Sequence, residues 1–341
     1  MKLSNNYIFY PGNNELVKAI EYYKGLLADK GIIDDAPDNS IAVQDNFLYT
    51  RGNFEQQRFN TSILEPAREA FESILSEMSR QQSPLNWAAI QNSLGNILAA
   101  LGQQRMDVAL YEKAITAFNL ALEEFKQQDS PLNWATAQYN LGTAAQALGR
   151  QQDDSKLLKI SIDAYTNTLL EWTQDQAPEL WATTMFQLGT SFYAHGKLLK
   201  GNRTFQKSVV AFKNALVRFD ADNYALALSA THNSRGVVLQ HLAESEENSA
   251  RMEEAIRSYE IALLVAQEQQ LPIHLAVMIK VNIATARGVL AELTNDSAIA
   301  EESADDFELI LELFSSVLQP LCLKHCEAQL IRMTSLLNTA A

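Results

Sequence analysis

The sequence predicts an all-α chain: a right-handed α-solenoid of about six helical hairpins with a capping helix at each end. Three observations lead there. Hydrophobic residues make up 47% of the 341 residues, while only 13 are glycine and 8 are proline, which is too apolar for disorder and too poor in turn formers for an all-β fold. A step of 47 links Trp87, Trp134 and Trp181, then Gly95, Gly142, Gly189 and Gly236, then Phe71, Phe118, Tyr165, Phe212 and Tyr259. A fixed period of roughly 20 to 50 residues marks stacked supersecondary units. Within each step the apolar residues recur at the intervals of a helix with one buried stripe.

Pro37, Pro84, Pro131 and Pro178 keep the step, Pro272 falls two steps later, and Pro320 follows after 48 residues. This register gives residues 1–36 to an N-terminal segment with a capping helix over 13–30. Six hairpins fill 37–319, beginning near 37, 84, 131, 178, 225 and 272, and a C-terminal capping helix lies in 320–341. Terminal helices of this kind shield the ends of a stacked core.

The unit that reads "SPLNWAAIQNSLGNILAALG" shows how each hairpin is built. Ser83 is placed to cap a helix whose first turn holds Pro84. Trp87, Ile90, Leu94, Leu98 and Leu101 form the buried stripe, and Gly102 is expected to end it. Tyr111, Ala114, Ile115, Phe118, Ala121, Leu122 and Phe125 form the stripe of the second helix. The two helices are expected to run for roughly 18 and 20 residues. A mid-helix glycine costs about 1 kcal/mol relative to alanine, so Gly95 and its equivalents are expected at a close helix crossing against small Ala114, Ala117 and Ala121. Tryptophan and phenylalanine would fill the spaces between hairpins.

The formal net charge of −14 disfavours a nucleic-acid partner. The charge is uneven. Residues 241–310 hold fourteen acids against Arg251, Arg257, Lys280 and Arg287, whereas 197–218 hold Lys197, Lys200, Arg203, Lys207, Lys213 and Arg218 with no acid. No run of about 18 apolar residues and no signal-peptide pattern is found, so no membrane association is expected. Two cysteines are too few for a disulfide framework, which points to a reducing, cytoplasmic setting.

Leu94-Gly95, Leu98 and Gly102, then Ala114, Phe118 and Ala121, and in the next unit Leu141-Gly142, Gly149, Ala164 and Tyr165, resemble the tetratricopeptide repeat (TPR) superfamily. The "NWAxxQxNLG" units look like a long-repeat bacterial branch. The pattern is strongest over 84–220; Ser40, Leu228 and Leu275 replace the tryptophan outside it. The family's usual repeat is shorter, and about seven additional residues are expected between the two helices. The resemblance implies a concave surface lined by the first helix of each hairpin, non-catalytic binding of a protein or peptide partner, and no cofactor.

Carried onto this register, the family's groove positions fall on Asp45, Tyr49, Asn92, Asn96, Tyr139, Thr143, Gln146, Phe186, Thr190, Tyr193, Asn233, Gln240, His241, Lys280 and Arg287. Amides pair with an extended peptide backbone, and aromatic rings supply side-chain pockets. For any one of them an ordinary solvent-facing role is an equal reading; none is expected in the core. The family's clamp for a two-carboxylate peptide end needs Lys and Arg beside two Asn. Asn92 and Asn96 are present, but Tyr139, Thr143, Thr183 and Phe186 stand where bases are required.

Cys322, His325 and Cys326 could share a helix face as metal ligands. Aligning Pro320 with Pro84 instead gives Cys326 the buried position of Ile90, so a core role is expected and no metal site. His195, His232, His241 and His274 are dispersed, and no nucleophile elbow, Walker loop or dinucleotide fingerprint occurs. An enzyme is therefore the least favoured class. Ahead of it stand an interaction scaffold binding a peptide or helix in the concave groove, a self-assembling protein joining the basic 197–218 and acidic 241–310 stretches, and a peptide-signal sensor acting through a separate output protein.

Overall fold

The computed structural model describes residues 20–21 and 64–340. The described residues form twelve α-helices and no strand. These are α1 (Leu64–Glu77), α2 (Pro84–Arg105), α3 (Val108–Glu124), α4 (Pro131–Gln152), α5 (Ser155–Thr168), α6 (Pro178–Leu199), α7 (Asn202–Ala215), α8 (Ala221–Glu246), α9 (Ser249–Glu268), α10 (Ile273–Thr294), α11 (Ser297–Phe314) and α12 (Pro320–Ala340). Nearly all of the expected helix over 13–30 and the first helix of the first hairpin lie outside the described residues, as do Asp45 and Tyr49.

The chain divides into two compact units, one ending at Leu199 and the other beginning at Lys200. In the first, α2 pairs with α3 and α4 with α5, each second helix packs on the next first helix, and α2, α4 and α6 touch in sequence. In the second, α8 pairs with α9 and α10 with α11, α7 packs on α8, and α12 closes on α11 and α10.

The glycines sit where the period places them. A Cβ on Gly95 would lie 2.5 Å from the Phe118 ring, one on Gly142 2.9 Å from Tyr165, and one on Gly236 2.5 Å from Tyr259. Each aromatic ring therefore occupies the volume of the missing side chain, and the hairpin closes over it. In the last hairpin the register slips by one residue, as Pro320 foreshadows, and Ala284 shares a core cluster with Phe307.

Among the described residues, the turns inside the hairpins differ from expectation. The α2 helix does not stop at Gly102; it runs to Arg105, and Met106 takes the left-handed conformation at φ 54°. Gly102 is another close approach, 3.2 Å from the Tyr111 ring for a built Cβ. Asp153, Lys200, Glu247 and Asn295 adopt the same conformation at equivalent positions. The next residue caps the second helix: Asp107, Asp154 and Asp296 each accept from two backbone N–H groups, and Asn248 accepts from Arg251. Two residues thus make the turn, and the expected extra residues are helical instead: α2, α4, α6 and α10 each have 22. Ser83 gives no side-chain cap; its carbonyl accepts from the Trp87 N–H. Where the fifth unit lacks its proline, α8 begins a turn early and breaks at Tyr224, just before Ala225.

By length and composition α10 is apolar enough to cross a membrane, but more than half of its apolar window is buried in the protein. It packs in the cores shared with α9, α11 and α12, as an interior helix does. Cys322 and Cys326 are fully buried beside Met278 and Phe307, the core placement expected from the proline alignment. Burial raises both thiols, Cys326 to about 12, so neither offers a ready thiolate.

Replacing Gly142 by leucine forces a side chain into the Tyr165 ring and should lower stability by about 1–3 kcal/mol. The Gly201→Ala variant is the control, since the nearest atom to a Cβ there is Thr204 Oγ1 at 3.9 Å. Thermal melting reads both; an unchanged midpoint for Gly142→Leu would remove the glycine from the crossing.

Candidate functional site

The described residues carried over from the groove pattern lie on α2, α4, α6, α8 and α10, and most of them face protein. Asn92 is 4% exposed; its side-chain oxygen accepts from Asn140 Nδ2 at 3.1 Å, tying α2 to α4. Asn96 is buried on the same helix. Gln146 donates from Nε2 to the Gln187 carbonyl at 2.9 Å and to Ser191 Oγ at 2.8 Å, tying α4 to α6. Ser161 donates to the same serine oxygen from α5. In the second unit Asn282 donates from Nδ2 to Asn233 Oδ1 at 2.9 Å and ties α8 to α10. A first helix is thus joined to the next by amide hydrogen bonds at each of these three steps, buried in the first unit and partly buried between α8 and α10.

The aromatic positions behave similarly. Tyr139 is 1% exposed, edge-on to Tyr165 with centroids 5.4 Å apart and tilted on Trp172 at 5.3 Å. It lies in the core, contrary to the expectation that groove positions are not core. Burial pushes its phenol far up, and Tyr165's as well. Thr143 Oγ1 approaches Tyr165 Oη at 3.0 Å and also bonds the Tyr139 carbonyl. Phe186 is buried, and Thr190 donates to its carbonyl.

The positions that stay partly open are Thr190 and Tyr193 on α6 and Gln240 and His241 on α8. The Lys197 ammonium lies 5.7 Å from the Tyr193 ring centroid. Gln240 accepts from Tyr259 Oη and donates to Glu244, both at 2.9 Å, and His241 stacks on Phe205. Lys280 is half-buried. Arg287 is held by Asp306 at 2.7 Å, with Glu260 and Glu302 farther out.

Two imidazoles bear on chemistry. Ser155 Oγ lies 3.1 Å from His195 Nε2, a pairing that dispersed sequence positions did not reveal. Burial lowers the His195 pKa and Lys159 lowers it further; a lysine beside the ring opposes the imidazolium that an activated serine generates. His232 keeps an unbonded, buried Nδ1, and burial, helped by Arg235, drops its pKa to about 4. Among the described residues, no three His, Cys, Asp or Glu side chains gather as a metal site.

No family model matches the chain, and no curated protein matches it. Among solved structures it is similar to the C-terminal part of a TPR repeat-containing protein from Cytophaga hutchinsonii, at 14% identity over 92% of this chain and 95% of that one, with a TM-score of 0.49. The fold rests on the helix pairs themselves.

The Asn140→Leu change strips Asn92 of its buried donor and should cost about 1–3 kcal/mol, whereas the double change Asn92→Leu/Asn140→Leu should recover much of that loss. Denaturant midpoints of the three proteins test this, and additive losses would refute the pairing.

His232 supplies a pH dependence. Its folded pKa lies below its unfolded value of about 6.5, so the unfolded chain binds the extra proton and stability falls as pH drops from about 6.5 toward about 4. The melting temperature of His232→Gln should decline less over that window than that of the wild type.

Proposed function

We propose that this protein is a non-catalytic interaction scaffold that holds a segment of a partner protein against its first helices. The observation that carries this reading is the partly open pair Thr190 and Tyr193, on a helix anchored to α4 by Gln146. A rigid array that presents an aromatic ring and a hydroxyl suits an uncharged peptide or helix. The buried amides of α2 and α4 act here as the frame, and binding belongs to the partly open positions. The TPR-like pattern of Gly95, Phe118 and their repeats supports the same reading. Cytoplasmic location belongs to it too, since Cys322 and Cys326 are buried free thiols.

Partners captured from the native host at low and high salt, identified by mass spectrometry, supply the ligand for calorimetry. The Tyr193→Ala change should weaken a genuine partner by about 2 kcal/mol with folding intact, as loss of an aromatic anchor does. Undiminished affinity would move the functional surface off the first helices.

A further inference from the structure

The outward faces of α7 and α11, both in the unit that begins at Lys200, carry opposite charge around exposed apolar residues. On α7 and the turn that follows it, Val210 and Val217 are 56% and 65% exposed. Arg203, Lys207 and Lys213 are exposed on the same side: with the two valines, positions 203, 207, 210, 213 and 217 step by three and four residues. This stretch contains no acid. On α11, Leu309 and Leu313 are 47% and 57% exposed, four residues apart. Asp305, Glu308 and Glu312 are exposed beside them, and α11 contains no base.

Exposed apolar surface that clusters within a charged border marks an interaction site. Here each row is bordered by charges of one sign, and the two signs match across the molecule. We propose that the α7 face of one copy docks on the α11 face of a second copy of this chain. The valines meet the leucines in a dehydrated strip, and the Arg and Lys side chains pair with Glu308, Glu312 and Asp305 at its edge. The contact joins different surfaces, and the charges set partner and register, so association weakens as salt screens them.

Sedimentation velocity across protein concentration, at about 50 mM and about 500 mM salt, tests the proposal in the wild type. The expected result is concentration-dependent association at low salt, weakened at least tenfold at high salt; a monomer at every concentration in low salt overturns it. Two charge-reversed variants carry the test to the residues: Arg203→Glu/Lys213→Glu on α7 and Glu308→Lys/Glu312→Lys on α11. Arg203→Glu and Glu312→Lys put their new charges at the helix ends that favour them, and Lys213 and Glu308 are exposed, so folding should survive. Each variant alone should be monomeric because its two faces now repel. An equimolar mixture should associate again, since the acidic α11 of one variant faces the basic α7 of the other. Variants that self-associate like the wild type, or a mixture that stays monomeric, would overturn the assignment of these faces.

Discussion

Everything in this architecture depends on how closely the two helices of a hairpin approach. Gly95, Gly142 and Gly236 remove a side chain where Phe118, Tyr165 and Tyr259 insert a ring, so one hairpin is locked by a knob fitting a gap one atom deep. That contact sets the tilt of the second helix, which then packs on the first helix of the following hairpin. The aromatic ring is rigid and costs little conformational entropy to order. A repeating chain needs such a fixed joint, because an angular error in one unit would be inherited by every unit after it.

The second joint is polar. A buried amide pair links α2 to α4, a partly buried one links α8 to α10, and Gln146 links α4 to α6. An amide pair in a protein interior has directional demands that apolar packing lacks, so it specifies which residue faces which across neighbouring units. The partly open residues Thr190 and Tyr193 project from this braced frame, which limits the freedom they would lose on meeting a partner.

Much of the fold was legible in the sequence for a physical reason: glycine, proline at the first helical turn and a large aromatic each answer one geometric demand, and the demand recurs every 47 residues. Cys326 could be placed in the core from Pro320 alone. The groove was harder to read. An asparagine facing solvent and one bonded to an asparagine 48 residues away look alike in a linear sequence, and Tyr139 obeys the same spacing whether its ring meets a ligand or Trp172. The hairpin turns were missed because the left-handed residue is Met106, Asp153 or Lys200 rather than glycine. The recurrence of Asp107, Asp154, Asn248 and Asp296 as helix caps was the available signal.

That two-residue turn also bears on how such a chain can change length. The stretches opening at Ser83 and Ser130 are closely similar, and each is followed at the same distance by a left-handed residue and an aspartate cap, Met106-Asp107 and Asp153-Asp154. An exchange between them would insert or remove one whole hairpin together with its turn. The final unit carries an additional residue before Asn295, so its joints no longer align with those of the others.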